Sequence, residues 1–212
     1  MPLSLLLAAA LVAFAPPALE PSSVMANVIA RNHELRSFEA AVSTEFRQRG
    51  FPFMRVALNG KAYFEAPDRY VVAFARVPGY MRDFPSAYAM MLNVAQWPQR
   101  FTITVDGVRV VAGHEDIALR LTPRDAQSGL VRGEALVDPS AWTIDETNWD
   151  FEHDTHIAVT QEFTSLGAFL VLATQHFAVQ VPFTKAVGTS TFQNYRLNVA
   201  IGDDVFTKKS PP

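Results

Sequence analysis

Asp150, Glu152, Asp154 and His156 stand at successive i+2 positions, which on a straight strand would put four ligand-type side chains on one face, suited to a divalent cation. The intervening chain argues for a different course. His153-Asp154-Thr155 has the composition of a hairpin tip between strands over Trp142–Phe151 and His156–Phe163, and a tip scatters the four groups into solvent. A solvated hairpin face and no metal is therefore the expectation, with a metal site as the alternative. The adjacent carboxylates Asp145-Glu146 and Asp203-Asp204 point to opposite faces of a strand or sit in turns, so they make poor acid–base couples. His33 falls in a helix, His114 in a polar turn with Glu115-Asp116, and His176 in a strand beside Thr174 and Gln175. None has a neighbouring nucleophile. The G-x-S-x-G, Walker A, G-x-G-x-x-G and H-E-x-x-H patterns do not occur, and without cysteine there are no thiolate metal sites, thiol nucleophiles or disulfides. Nothing local supports an enzyme or calls for a cofactor. A triad assembled from distant residues stays open as the catalytic alternative.

The richer constellation is apolar. Phe46, Phe53, Tyr63, Phe64, Tyr70, Phe74, Tyr80, Phe84, Tyr88, Met90, Met91 and Trp97 fall close together. Aromatic residues in strands mostly form core, whereas a Met-Met pair in an insertion flanked by Pro and Gly suits an adaptable apolar surface or lid.

The elements that position these residues are mostly strands. Pro21-Ser22-Ser23 supplies an N-cap, and Met25, Val28, Ile29 and Leu35 follow near helical spacing through Ser37. From Phe38 the period becomes two, with Phe38, Ala40, Val42, Thr44 and Phe46 on one face and Glu39, Ser43, Glu45, Arg47 and Arg49 on the other. Gly50-Phe51-Pro52 turns the chain into a second such strand, Met54 to Glu65, and Pro67-Asp68 into a third carrying Tyr70, Val72 and Phe74 inward. Between Pro78 and Pro98 the alternation breaks, and Pro85-Ser86 starts a short helix bearing Tyr88, Met91, Leu92 and Ala95. Asp106-Gly107 reads as a hairpin turn between Phe101–Val105 and Val108–Ala112. Further runs follow at Ile117–Leu121, Leu130–Val137, Trp142–Phe151, His156–Phe163, Phe169–Val181 and Thr191–Ala200, about ten strands in all. A sheet of that size with one apolar face must curl around helices or a ligand.

Composition sets the frame. Of 212 residues, 49% are hydrophobic, 18% charged and 11% aromatic, which describes a folded globular chain. The formal charge of −3 offers no footprint for nucleic acid or a polybasic membrane contact. Leu3–Phe14 is an apolar run followed by Ala13-Phe14-Ala15-Pro16-Pro17-Ala18, short of the roughly 20 residues of a membrane-spanning helix and ended by prolines. The expectation is a signal peptide over 1–18 and one mature domain over 19–212, soluble and extracytoplasmic or periplasmic, with a buried N-terminal helix as the alternative.

The mature segment resembles the LolA-like family of extracytoplasmic lipoprotein carriers and their relatives, which bind acyl chains or act as periplasmic sensors. The resemblance lies in the opening helix with Leu35-Arg36-Ser37-Phe38 and a strand ending Phe46-Arg47-Gln48. It continues through Gly60-Lys61-Ala62-Tyr63-Phe64-Glu65-Ala66-Pro67-Asp68-Arg69-Tyr70, then Leu119-Arg120-Leu121-Thr122-Pro123 and Val137-Asp138-Pro139, and closes at Phe192-Gln193-Asn194-Tyr195-Arg196-Leu197-Asn198. It implies an α+β, mostly β fold: one large curved antiparallel sheet, an incomplete barrel, with a few covering helices over an apolar cavity for lipid chains. Carriers of the family place a basic residue just before the proline of the first turn, where it latches the lid helices. Here that position is Ala66, and Arg69 is the nearest substitute.

The resemblance and the one-sided strands together lead to an expected monomeric, non-enzymatic carrier whose partner is an acyl chain, lipid or lipoprotein. Phe46, Val56, Phe64, Tyr70, Phe74, Met91 and Trp97 are its expected cavity or lid contacts. A sensor that uses the same concave fold to bind an envelope protein is the second reading. A hydrolase on this scaffold is the third, and would require a Ser-His pair within hydrogen-bond reach inside the pocket.

Overall fold

The computed structural model describes residues 19–49, 54–81, 84–111, 113–125, 129–182 and 184–207. The expected signal peptide over 1–18, the expected turn at Gly50-Phe51-Pro52, and Phe53 lie outside the described residues.

Helix α1, Pro21–Ala30, starts with Pro at its first position, where the missing N–H costs nothing. It is shorter than helical spacing through Ser37 predicts. His33 N–H donates to Ala30 O (3.0 Å) and Leu35 N–H to Asn32 O (2.8 Å), so tight turns replace the helix while the Asn32 side chain bonds elsewhere. Strands β1, Ser37–Arg49, β2, Arg55–Glu65, and β3, Arg69–Phe74, then form a meander, with Phe38 opposite Phe64 and Phe64 opposite Tyr70. The alternation is realised as read: Ala40, Val42, Thr44 and Phe46 are buried, as are Leu58, Ala62, Val72 and Phe74.

The sheet has ten antiparallel strands in the order β3-β2-β1-β10-β9-β8-β7-β6-β5-β4. It includes β4, Phe101–Val111, β5, His114–Pro123, β6, Leu130–Asp138, β7, Thr143–Phe151, β8, Thr155–Leu166, β9, Phe169–Val181, and β10, Thr184–Leu197. β3 and β4 are its two edges, so the sheet does not close into a barrel. The chain leaves one edge and re-joins at the other, so the segment between them crosses the sheet. That crossover carries α2, Phe84–Leu92, and α3, Trp97–Arg100, with Tyr88, Met91 and Trp97 buried against the inner face. A short α4, Asp204–Thr207, follows β10.

Two strand boundaries differ most from expectation. Asp106-Gly107 is no hairpin: β4 runs through it, and the register against β5 slips between Val105 and Gly107, with Gly107 at φ +118°. The dipeptide that favours a tight turn also favours a bulge, and the pairing of Val108 with Ile117 selects the bulge. β10 begins at Thr184, well before Thr191, because Gly188 is strand rather than loop. A Cβ there would lie 2.1 Å from the Phe177 ring, so the glycine makes room for that ring on β9.

Candidate functional site

The inner face is divided along the strands. Toward one end the crossover fills it: Phe46 packs on Phe84 (4.9 Å between centroids) and Phe177 (4.7 Å), and Phe84 stacks on Tyr88 (5.1 Å). The Tyr88 hydroxyl donates to Gln175 Oε1, and Thr44 and Ser190 share a 2.7 Å hydrogen bond, so polar groups in this packed region are paired. Farther along the sheet Trp97 meets Phe101 and Trp149.

At the opposite end lies a cavity of ≈ 420 Å³. Its floor is aromatic: Phe38 stacks on Phe64 (5.5 Å) and contacts the edges of Tyr70 (6.2 Å) and Tyr195 (5.3 Å). Leu172 and Phe192 add apolar wall from β9 and β10, Ile144 from β7, and Phe163 from β8. The C-terminal part of α1 and the α2–α3 link, Leu92 to Ala95, form the roof. Tyr195 donates to Leu172 O (2.6 Å), and burial pushes the phenols of Tyr70 and Tyr195 above their ordinary range, so both are neutral hydrogen-bonding groups at physiological pH.

One cation stands at the rim. Arg31 Nη2 donates to Leu170 O (3.1 Å) and its guanidinium lies over the Phe163 ring at 4.9 Å. Nη1 is buried with no hydrogen-bond partner among the described residues. Burial lowers the guanidinium pKa from its ordinary value, and nearby Asp145 opposes the shift. Asn32 clasps the same backbone reciprocally, Nδ2 to Leu170 O (2.8 Å) and Leu170 N–H to Oδ1 (3.2 Å), which ties the end of α1 to the start of β9.

Of the expected contacts, Phe64 and Tyr70 line the cavity. Phe46, Phe74, Met91 and Trp97 belong to the packed core, and Val56 packs against that core. Phe38, Phe163, Phe192, Tyr195 and Arg31 were not expected at a site. Alternation places Phe38 on the same face as Phe46 but does not tell which strand end stays open. Arg69 pairs elsewhere than with α1 or α2: it bonds Glu65 (2.6 Å) and Asp203 (2.8 Å) and lies over the Phe206 ring at 4.1 Å, fixing α4 beside β3.

A hairpin does join β7 to β8, with its turn at 152–154 rather than at the expected 153–155, His153 and Asp154 at positive φ and Thr155 already in β8. Asp150 bonds Arg132 Nε (2.5 Å) and His156 Nδ1 (2.7 Å), and among the described residues no three His, Asp or Glu groups gather to hold a metal. Among the described residues the cavity is lined by His33 but by no serine. Its Thr143 hydroxyl donates to Asp145 (2.6 Å).

An open antiparallel sheet wrapped over crossing helices, with a partly apolar hollow at one end, defines a half-barrel class of fold. No family model and no curated protein matches the sequence. Solved structures do. A LolA superfamily protein from Nitrosomonas europaea superposes with a TM-score of 0.67 at 10% identity, over 90% of this chain and 99% of that one. A DUF1329 family protein from Desulfovibrio piger gives 0.66 at 10% identity, over 88% and 96%. An outer membrane lipoprotein-sorting protein domain from Vibrio parahaemolyticus gives 0.66 at 10% identity, over 87% and 94%. The fold is LolA-like.

Proposed function

We propose that the chain is an exported, non-enzymatic binding protein that shelters an acyl chain, free or carried on a lipoprotein, in the cavity beneath α1. The observation that carries this reading is the aromatic hollow itself. Its ≈ 420 Å³ lies within the roughly 300–1,000 Å³ of small-molecule sites, and most of its lining is apolar. Driving force comes from removing methylenes from water at about 0.8 kcal/mol each, so a chain of about ten contributes on the order of 8 kcal/mol before association costs. Binding of that kind needs no cofactor. The LolA-like fold supports the reading, as does the apolar leader over 1–18; no helix among the described residues is long and apolar enough to cross a membrane. Among the described residues the cavity lining has His33 but no serine, which gives the hydrolase reading no support there.

A second reading, an envelope-protein interaction domain on the same fold, is favoured by the filled half of the inner face and by the edge strand β4, where Val108 and Val110 are exposed. Native mass spectrometry of the protein purified from an exported expression, with organic extraction, separates the two. Retained lipid, or uptake of an acyl probe by the apo form, supports the carrier. An apo mass that stays unchanged after incubation with acyl probes moves the assignment to the interaction domain.

A further inference from the structure

The cavity is mostly apolar, and its rim carries a charge whose hydrogen bonding is incomplete. Arg31 lines the hollow, its Nη1 is buried without a partner among the described residues, and its other bond goes to a carbonyl that Asn32 already satisfies at 2.8 Å. The guanidinium can therefore turn toward a ligand without orphaning Leu170 O. A buried donor on a charged group is costly to leave unmade, and the planar guanidinium fork matches a carboxylate or phosphate in two parallel bonds. The guanidinium lies over the Phe163 ring at 4.9 Å, a contact that keeps it at the rim while leaving its orientation free, and Asp145 favours its charge without forming an ion pair with it. His33, beside Arg31, is exposed, so solvent reaches this side of the hollow, whereas the aromatic floor of Phe38, Phe64 and Tyr195 is supplied by β1, β2 and β10.

We propose that Arg31 receives the anionic head of an amphiphile, a carboxylate or phosphate monoester on an apolar chain, whose tail lies over the Phe38 floor. The assignment rests on the acyl-chain reading above and adds to it a headgroup class and an orientation, head at α1 and tail toward β1 and β2.

The test is competition against a fluorescent acyl probe by dodecanoate, dodecyl phosphate, dodecanol and acetate. The wild-type protein should take the two anions at least about tenfold more tightly than dodecanol and ignore acetate, because a charge-assisted pair adds to chain burial and does not replace it. Arg31→Gln should bring both anions down to the level of dodecanol, and Arg31→Lys should keep part of the preference. The stronger of the two anions tells a fatty acid from a phosphate-bearing lipid. Equal competition by dodecanoate and dodecanol in the wild type overturns the headgroup assignment and leaves the cavity reading standing; that comparison needs no variant, so a misfolded Arg31→Gln does not blunt it. Competition by acetate as strong as by dodecanoate overturns it in favour of a bare anion site. If the probe does not bind at all, the acyl-chain reading falls with it.

Discussion

Trp97, on the crossover, and Trp149, on β7, meet edge to face with ring centroids 5.6 Å apart and planes at 82°. Both are fully buried, and each indole N–H has an acceptor: Trp149 Nε1 donates to Thr147 Oγ1 at 2.9 Å and Trp97 Nε1 reaches Met90 O at 3.4 Å. The contact fastens the crossing segment to a strand far from the edge that segment leaves, so it holds the roof over the sheet. Beneath it lies Gly133, where a Cβ would stand 2.7 Å from the Trp149 ring and 3.2 Å from Leu121. Gly133→Ala should cost about 1–3 kcal/mol through overpacking, read as a lower urea midpoint at unchanged slope. Gly79→Ala, with nothing within 4 Å of the added carbon, is the control and should leave the midpoint nearly in place.

The buried pair of Tyr88 on α2 and Gln175 on β9 gives a second prediction. Tyr88→Phe strands the Gln175 amide in the core and should destabilise by about 1–3 kcal/mol. Replacing both partners, Tyr88→Phe with Gln175→Leu, should recover most of that loss, because an apolar pair of similar shape leaves nothing unsatisfied. A double-mutant cycle on chemical denaturation checks it, and additive losses would show that the two groups are not coupled.

How far these features were legible in the sequence differs from one residue to the next. Phe38 to Phe46 announced their inward face because a period of two has only one explanation in a half-buried strand. The same rule could not choose between Phe38 and Phe46 as cavity wall, since the strand end left open depends on where the crossover lies, and that path is set by the pairing of β4 with β5 at the far edge. The last strand was expected from Thr191 and not from Thr184, because the steric role of Gly188 belongs to Phe177, another strand's side chain. Arg31 was hidden for a similar reason: apolar spacing continued the helix past it, while its partners, Leu170 and Phe163, are distant in sequence.

Cavity and core can be separated by mutation. Phe38→Ala and Phe64→Ala remove floor from a hollow, so each should weaken acyl-probe binding by about tenfold or more in a protein that still folds, a loss equivalent to burying one or two fewer methylenes. Phe74→Ala creates a void in the filled half and should instead cost about 3–5 kcal/mol of stability. Where Phe74→Ala still folds, its probe affinity should match wild type. Titration of the probe beside a thermal melt for each variant tells the two classes apart, and unchanged affinity in Phe38→Ala and Phe64→Ala would remove them from the site.

Asp116 supplies the pH-dependent prediction. It is 4% exposed, Oδ1 has no hydrogen-bond partner among the described residues, and burial, then the carboxylates of Asp145 and Asp138, raise its pKa above the ordinary carboxylate value. A carboxyl raised in the folded state is more readily protonated there than in the unfolded chain, so its ionisation opposes folding. Below the unfolded value both states are protonated and the penalty is absent. It grows as pH rises through the folded value and is complete above it. Asp116→Asn removes the charge and keeps the shape, so at about pH 7 the variant should melt higher than wild type, and the gap should close as pH falls below the ordinary carboxylate value. Paired melts across that range check it. A gap of the same size at every pH would show that packing of the amide, not relief of a buried charge, accounts for the difference.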